Sequence, residues 1–474
     1  MFTLNDVLQE NQALIQSALT PPSEVVFRSA HHDSRQIGAG DLFVAIKGEH
    51  VDGHRFIATA ARAGARGALC CEPVEDVPPD FIQIVVPDVV KALHATARVR
   101  ARRQQGTTFL GITGSNGKTS TKEAVASVLS THAPTLKTQA SYNNEIGYPL
   151  TLLRLEPEHR YAVLEMGAQW VGELRWLSET IATPHWSMVT NVGTSHLEYF
   201  GSQERIVIAK TELVQVLSSE GIALLNYDDP NVRGMSEQTR AHVLFYGQEE
   251  GAAVRATDLG GDELFGRSFL LNYQGAKQPV QLQLPGEHGV TIALAAAAAG
   301  CAANMPLADI AVVLASLLPA KGRGEIKAGP NGSTLIDDSY NANRQSIVAI
   351  TNAMHDTQRT KRTSGKRWAV VGDIFELGTY AHAEHYATGE ALAGTLDYLV
   401  AVGEQARFFV EGAIAAGMPE QQAYYFSADV HNSAELEAVK RAVADLLKQA
   451  VHEHDLLLVK GSRGMRMETL LDLL

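Results

Sequence analysis

Residues Gly111–Ser120 read GITGSNGKTS: an apolar strand runs through glycines into KTSTKEAVASVL, a helix whose first turn begins at the loop. The N–H groups of a first helical turn point outward without intrahelical partners, and with the helix dipole they bind phosphate oxygens. Gly114 and Gly117 allow the backbone to approach closely, Lys118 is placed to reach β and γ phosphates, and the Thr119 hydroxyl to meet magnesium. Ser115, Asn116 and Ser120 complete the loop. The strict phosphate-loop pattern asks for glycine where Ile112 stands. The strand–loop–helix context favours a nucleotide phosphate loop over a plain glycine turn, and an ATP-consuming enzyme. Alone it does not separate a kinase, an ATPase and a ligase.

Outward from the loop, TTFLGIT, YAVLEMGA, SMVTNVG and GIALLNYDDP are short apolar runs alternating with helical stretches, which predicts a parallel sheet with helices on both faces. Between about Val254 and Leu284 the pattern turns β-rich, with NYQGAKQ as a hairpin turn, an antiparallel edge to the same sheet. After an Ala-rich helix and Pro319, strands recur at STLIDD, RWAVVGD, YLVAVG, AYYFS and LLLVKG, a second, Rossmann-like α/β unit. Upstream, VVF and DLFVAI are strands, HRFIATAARAG is a helix, and a further helix begins after Pro87. The expected fold is therefore α/β in three domains: a small mixed unit over 1–86, a central phosphate-loop unit over 87–318 and a C-terminal unit over 319–474. Gln358–Lys366, QRTKRTSGK, reads as a solvated basic loop.

The 474 residues, 45% hydrophobic and 20% charged, are enough for several cores. With 40 Lys and Arg against 53 Asp and Glu the net charge is −13, which opposes nucleic acid as a partner. Cys70, Cys71 and Cys301 lack metal-ligand spacing and read as buried small hydrophobes. MFTLNDVLQENQ lacks the basic end and apolar run of an export signal. Val290–Ala308 is uncharged and long enough to span a bilayer, yet its alanines, Gly300, Asn304 and Pro306 fit a buried soluble helix better. The expectation is a cytoplasmic monomer without a membrane anchor.

Two further stretches carry chemistry. Glu165 ends an apolar strand before Gly167, and ligand groups gather beyond the carboxyl ends of parallel strands. Magnesium takes hard oxygen ligands, so Glu165 is either a metal ligand beside Thr119 or a strand-end surface glutamate. In TNVGTSHLEYFGSQERIVIAKTEL, His196 and Glu198 follow a strand in a loop, before a helix bearing Lys210. A loop histidine and a helix lysine are ordinarily solvated, and the residues alone leave their roles open.

These motifs, in this order, resemble the Mur ligases, ATP-dependent amide-forming enzymes of peptidoglycan assembly, whose loop T-G-x-x-G-K-T/S is matched by Thr113–Thr119. NNEIGYPLTLL (143–153), DDSYNAN (337–343), GDIFELG (372–378) and VKGSR (459–463) resemble the MurF type, which adds D-alanyl-D-alanine to UDP-N-acetylmuramoyl-tripeptide. Asp33–Arg35 and Gly40–Gly48 resemble the segment holding the UDP-sugar, which implies that role for Ser34, Arg35 and the first domain. The resemblance implies that ATP and magnesium are held by Lys118, Thr119, Glu165 and His196, and that Lys210 is carbamylated to a further metal ligand. It also implies that Asn143, Asn144, Tyr340 and Asn341 line the substrate region, and that Arg323 and Asp338 reach the nucleotide. Two positions depart from the pattern: His288–Ile292 lacks both asparagines of H-N-x-x-N near the adenine, and Arg344 stands where proline is usual. The implied mechanism is an acyl phosphate taken over by the dipeptide amine, with domain closure excluding water. The alternatives are a ligase adding a diamino acid or glutamate, or a nucleotide switch that makes no product.

Overall fold

The computed structural model describes residues 1–16, 25–48, 50–193, 197–361 and 365–474, with the side chains of 358–361 left aside. Three large sheets organise them, beside a two-stranded antiparallel one that pairs Phe2–Thr3 with Val26–Phe27. The central one runs, edge to edge, 276–282, 266–273, 254–262, 242–247, 222–226, 186–189, 108–113, 161–165 and 135–137. Its strands are parallel from 135–137 through 254–262, and only the last two pairings are antiparallel. The expected parallel sheet with an antiparallel edge is thus present.

Thr108–Thr113 lies between Trp186–Val189 and Tyr161–Glu165, so the chain leaves it toward one side and later returns to the other. Such a switch opens a crevice beyond the strands' carboxyl ends, and the phosphate loop is the segment that enters it. The expected hairpin turn is also present. Gln274 and Gly275 have φ of +48° and +82°, the left-handed pair of a two-residue turn.

The Ala-rich stretch is split into the helices Gly286–Ala302 and Leu307–Ala315. Its alanines are buried because the helix lies close against Lys118–His132: a Cβ added to Gly300 would stand 2.9 Å from Val128 Cγ1. Small side chains here serve close packing. Among the described residues no helix is long and apolar enough to cross a membrane.

The N-terminal sheet is mixed, in the order 14–16, 82–85, 67–70, 42–44 and 30–31, with Leu14–Gln16 its antiparallel edge. The C-terminal sheet runs 325–328, 334–338, 456–460, 367–372, 398–402 and 423–426, parallel except for Glu325–Ala328. Sequence reading passed over the short strands Thr135–Lys137 and Glu325–Ala328, whose mixed polarity carries no clear alternation, and also the apolar strand His242–Gly247.

Three expectations are corrected. The segment Gln358–Lys366 is not wholly a loop, because the helix from Arg344 continues through Lys361; residues 362–364 lie outside the described part. Cys70 and Cys301 are buried, but Cys71 is exposed, just past the strand end. Glu198 sits in a short helix, Leu197–Phe200, rather than a loop.

Candidate active site

Gly117 begins the loop's helix with φ +75°, and Gly114 has φ +144°. A Cβ on Gly114 would come within 2.0 Å of Thr190 Oγ1, and one on Gly117 within 2.9 Å of His288 Cε1. Both positions need glycine for conformation and for room. Lys118 Nζ donates to the carbonyls of Gly114 (2.8 Å) and Ser115 (3.2 Å), folded over its own loop. Burial holds its pKa below the usual lysine value, against the opposing charge of Glu165, and the nearby Arg323 cation adds to the lowering. An added anion at the loop relieves this electrostatic cost.

The loop opens into a cleft of about 1640 Å³ lined from both the central and the C-terminal units. Ser115–Ser120, Asn143, Asn144, Glu165, Arg323, Asp338, Tyr340 and Asn341 all line it. Glu165 ends the strand beside the loop strand, with Ile112 as its register partner, as its place in the sequence required. It is 1% exposed. Its Oε1 accepts from Asn143 Nδ2 at 2.8 Å, and Oε2 has no hydrogen-bond partner among the described residues; the Lys122 ammonium is 3.7 Å away. A buried carboxylate oxygen without a hydrogen-bond partner, in a cleft that Thr119 also lines, fits a hard cation such as magnesium. Among the described residues no three His, Cys, Asp or Glu side chains form a metal cluster; His196 lies outside them.

Lys210, on the helix Gln203–Gln215, is not solvated as helix lysines ordinarily are: it is 1% exposed. Burial, with the charge of Lys118 second, brings its pKa down to about 7. Among the described residues no hydrogen bond or ion pair reaches it, and the Phe200 ring centroid is 5.9 Å from its nitrogen. It stands outside the cleft lining, near Glu173, which lines it.

From the C-terminal unit, Arg323 lies 4.1 Å over the Tyr340 ring and Arg463 lies 5.3 Å from it. Asp338 is engaged by Lys460 at 2.5 Å, and Lys460 also donates to the Asn341 carbonyl at 2.9 Å. Asp338 therefore faces the cleft with one oxygen already committed within its own unit. Asn116 of the loop donates to Gln345 Oε1 (3.0 Å) and accepts from the Asn343 side chain, so the DDSYNAN segment docks directly on the phosphate loop. Arg344 points instead toward Glu384, 3.9 Å away.

Not every expected residue converges. The Ser34 and Arg35 side chains are outside the cleft; Arg35, 88% exposed, grips Asp33 in a bidentate pair and holds that carboxyl down to about 2. Asn144 lines the cleft, but its Oδ1 accepts from the amides of Ile146 and Gly147 and so holds the start of the next helix. Sequence reasoning missed Ser141, Lys122 and Gln345. Lys122 alone carried a signal, since it lies one helical turn after Lys118 on the same face.

Comparison with known proteins bears on this geometry. Residues 28–105 match the model of the Mur ligase family catalytic domain, 112–300 that of the Mur ligase middle domain, and 322–463 that of the Mur ligase glutamate ligase domain. The UDP-N-acetylmuramoyl-tripeptide–D-alanyl-D-alanine ligase of Mycobacterium tuberculosis is 35% identical, over 93% of this chain and 91% of that protein. MurF from Acinetobacter baumannii superposes with a TM-score of 0.84 at 32% identity, covering 99% of this chain and 98% of that one. MurF ligase from Thermotoga maritima, solved in complex with ADP, gives 0.76 at 27% identity, over 95% and 97%. The chain belongs to the Mur ligase family, within its MurF branch.

Proposed function

We propose that the chain is an ATP-dependent ligase that joins D-alanyl-D-alanine to UDP-N-acetylmuramoyl-tripeptide, making the pentapeptide precursor of peptidoglycan. The observation that carries this is the shared cleft, in which a phosphate loop and the carboxylate of Glu165 face Arg323 and Arg463 of the C-terminal unit. Residues 1–86 would hold the UDP-sugar, 87–318 the ATP phosphates and 319–474 the dipeptide. The tripeptide's terminal carboxylate attacks the γ phosphorus of ATP; a C–O–P linkage forms, the bond to the β-phosphate oxygen breaks, and ADP leaves. The dipeptide amine then attacks the acyl carbon, gives up a proton, and phosphate departs as the amide forms.

The chain's own contribution is alignment and charge neutralisation. The loop amides and Lys118 bind the β and γ phosphates, with Arg323 and Arg463 opposite. Thr119, Glu165, His196 and Lys210 would hold magnesium, which supplies positive charge against the phosphate oxygens when bound. An amine with a pKa of about 7 is substantially unprotonated at neutral pH. That supports Lys210 as the nucleophile toward carbon dioxide: an N–C bond forms, a proton is released, and the lysine becomes an anionic carbamate. The enzyme acts as a cytoplasmic monomer, where its nucleotide substrates are made.

The test supplies ATP, magnesium, UDP-muramoyl tripeptide and a set of amines, and follows phosphate together with product mass. Coupled amide from D-alanyl-D-alanine is expected. Amide from a different amine, or phosphate without any coupled product, overturns the assignment.

A further inference from the structure

Ala140 has a φ of +48°, a left-handed conformation that a residue with a Cβ keeps only when its surroundings hold it. The hold is visible: the fully buried Lys122 donates to the Ala140 carbonyl at 2.6 Å. This bend sends the next three side chains to three different places. Tyr142 meets the N-terminal unit, its hydroxyl 3.1 Å from Gln36 Nε2 and its ring 5.7 Å from that of His32. Asn143 goes to Glu165. Ser141 Oγ lies 2.7 Å from the Tyr340 hydroxyl of the C-terminal unit and 3.4 Å from Thr119 Oγ1 in the phosphate loop's helix.

Tyr340 is itself fixed from three sides. Its ring is flanked by Arg323 and Arg463, and its N–H donates to the Gly322 carbonyl at 3.0 Å. The two arginines that face the cleft and the hydroxyl that reaches Ser141 therefore belong to one contiguous cluster of the C-terminal unit. In both pairs either hydroxyl can donate; when Thr119 donates to Ser141 and Ser141 to Tyr340, the Thr119 oxygen keeps both lone pairs free to accept or to meet a cation.

We propose that Ser141 and Tyr340 are positioning residues, and that the hydrogen bond between them sets the Thr119 hydroxyl for the nucleotide when the C-terminal unit is docked. The inference rests on the ligase reading for its link to turnover, but the nucleotide site can be probed without product. Tyr340→Phe keeps the ring between its arginines and removes only the hydroxyl; Ser141→Ala removes the other end.

The experiment measures ADP affinity with magnesium by calorimetry, and kcat and KM, for the full-length wild type, both single variants and the double variant. Each single variant is expected to bind ADP about fivefold to tenfold more weakly and to lose roughly tenfold in kcat, as one hydrogen bond allows. KM for the tripeptide substrate should stay within about twofold, and the double variant should be no worse than either single one. Unchanged ADP affinity in Tyr340→Phe, or penalties that multiply in the double variant, overturns the proposal and leaves the pair as a contact between units. Should Ser141→Ala fail to fold, Tyr340→Phe decides alone. If wild type binds ADP but makes no amide, the ligase reading has failed while the ADP series still tests this one.

Discussion

Asn143 donates its side-chain amide to Glu165 Oε1 at 2.8 Å, and this fixes the carboxylate with Oε2 buried and, among the described residues, without a hydrogen-bond partner. Asn143 thus orients a residue proposed to hold magnesium. Losing such an outer partner commonly weakens metal affinity by about 10-fold to 100-fold. Asn143→Ala should raise the magnesium concentration for half-maximal activity by that factor while saturating metal restores much of the rate. A metal titration of the variant checks this; an unchanged requirement would remove Asn143 from the metal site.

Gly117→Ala should abolish ADP binding for two separable reasons. The new Cβ would press on the His288 ring, 2.9 Å away, and φ +75° strains any residue with a Cβ. Adding His288→Ala removes the first reason only. Calorimetry should therefore find partial recovery in the double variant, and full recovery would mean that the backbone conformation there is unimportant.

Asp338→Asn tests whether this carboxylate serves the nucleotide or its own unit. Lys460 is 2% exposed, and its ammonium sits 2.5 Å from Asp338. Removing one partner of a buried pair leaves an uncompensated charge, commonly a loss of about 3–5 kcal/mol, and less here because Asp338 is 18% exposed. Denaturant unfolding should show a loss of about 2 kcal/mol, recovered when Lys460→Met is added. Undiminished stability with lost ATP binding would instead make Asp338 a nucleotide contact.

The fold was legible where the sequence carried period and punctuation. Apolar runs ending in glycine located the loop strand and its neighbours, and Gln274-Gly275 marked the hairpin. Short half-polar strands such as Thr135–Lys137 escaped because sheet pairing, rather than their own pattern, makes them strands. The phosphate loop was legible too, since its glycines have a local conformational reason. Lys210 was not: its burial depends on how the Gln203–Gln215 helix packs, and only family resemblance singled it out. Ser141 could not be found at all, because its role depends on a hydroxyl from Tyr340, far away in sequence.

Lys210 yields a prediction whose sign can be worked out. Unfolded, its amine has the ordinary value of 10.5; folded, burial and the Lys118 charge bring it down to about 7. Between pH 7 and 10.5 the unfolded chain holds a proton that the folded chain has released, so stability rises with pH across that window. Below pH 7 both states are protonated and the destabilisation is complete and constant. Lys210→Met removes the charge and keeps most of the volume. In buffer free of carbon dioxide it should melt above wild type at pH 6, and the difference should close toward pH 10. With labelled bicarbonate, wild type at pH 8 should show a carbamate resonance that fades as pH falls through 7, because only the neutral amine attacks carbon dioxide. The variant should show none and should lack ligase activity at every pH. A melting difference that does not change with pH would mean that this amine keeps its proton in the folded chain, and the carbamate would lose its chemical basis.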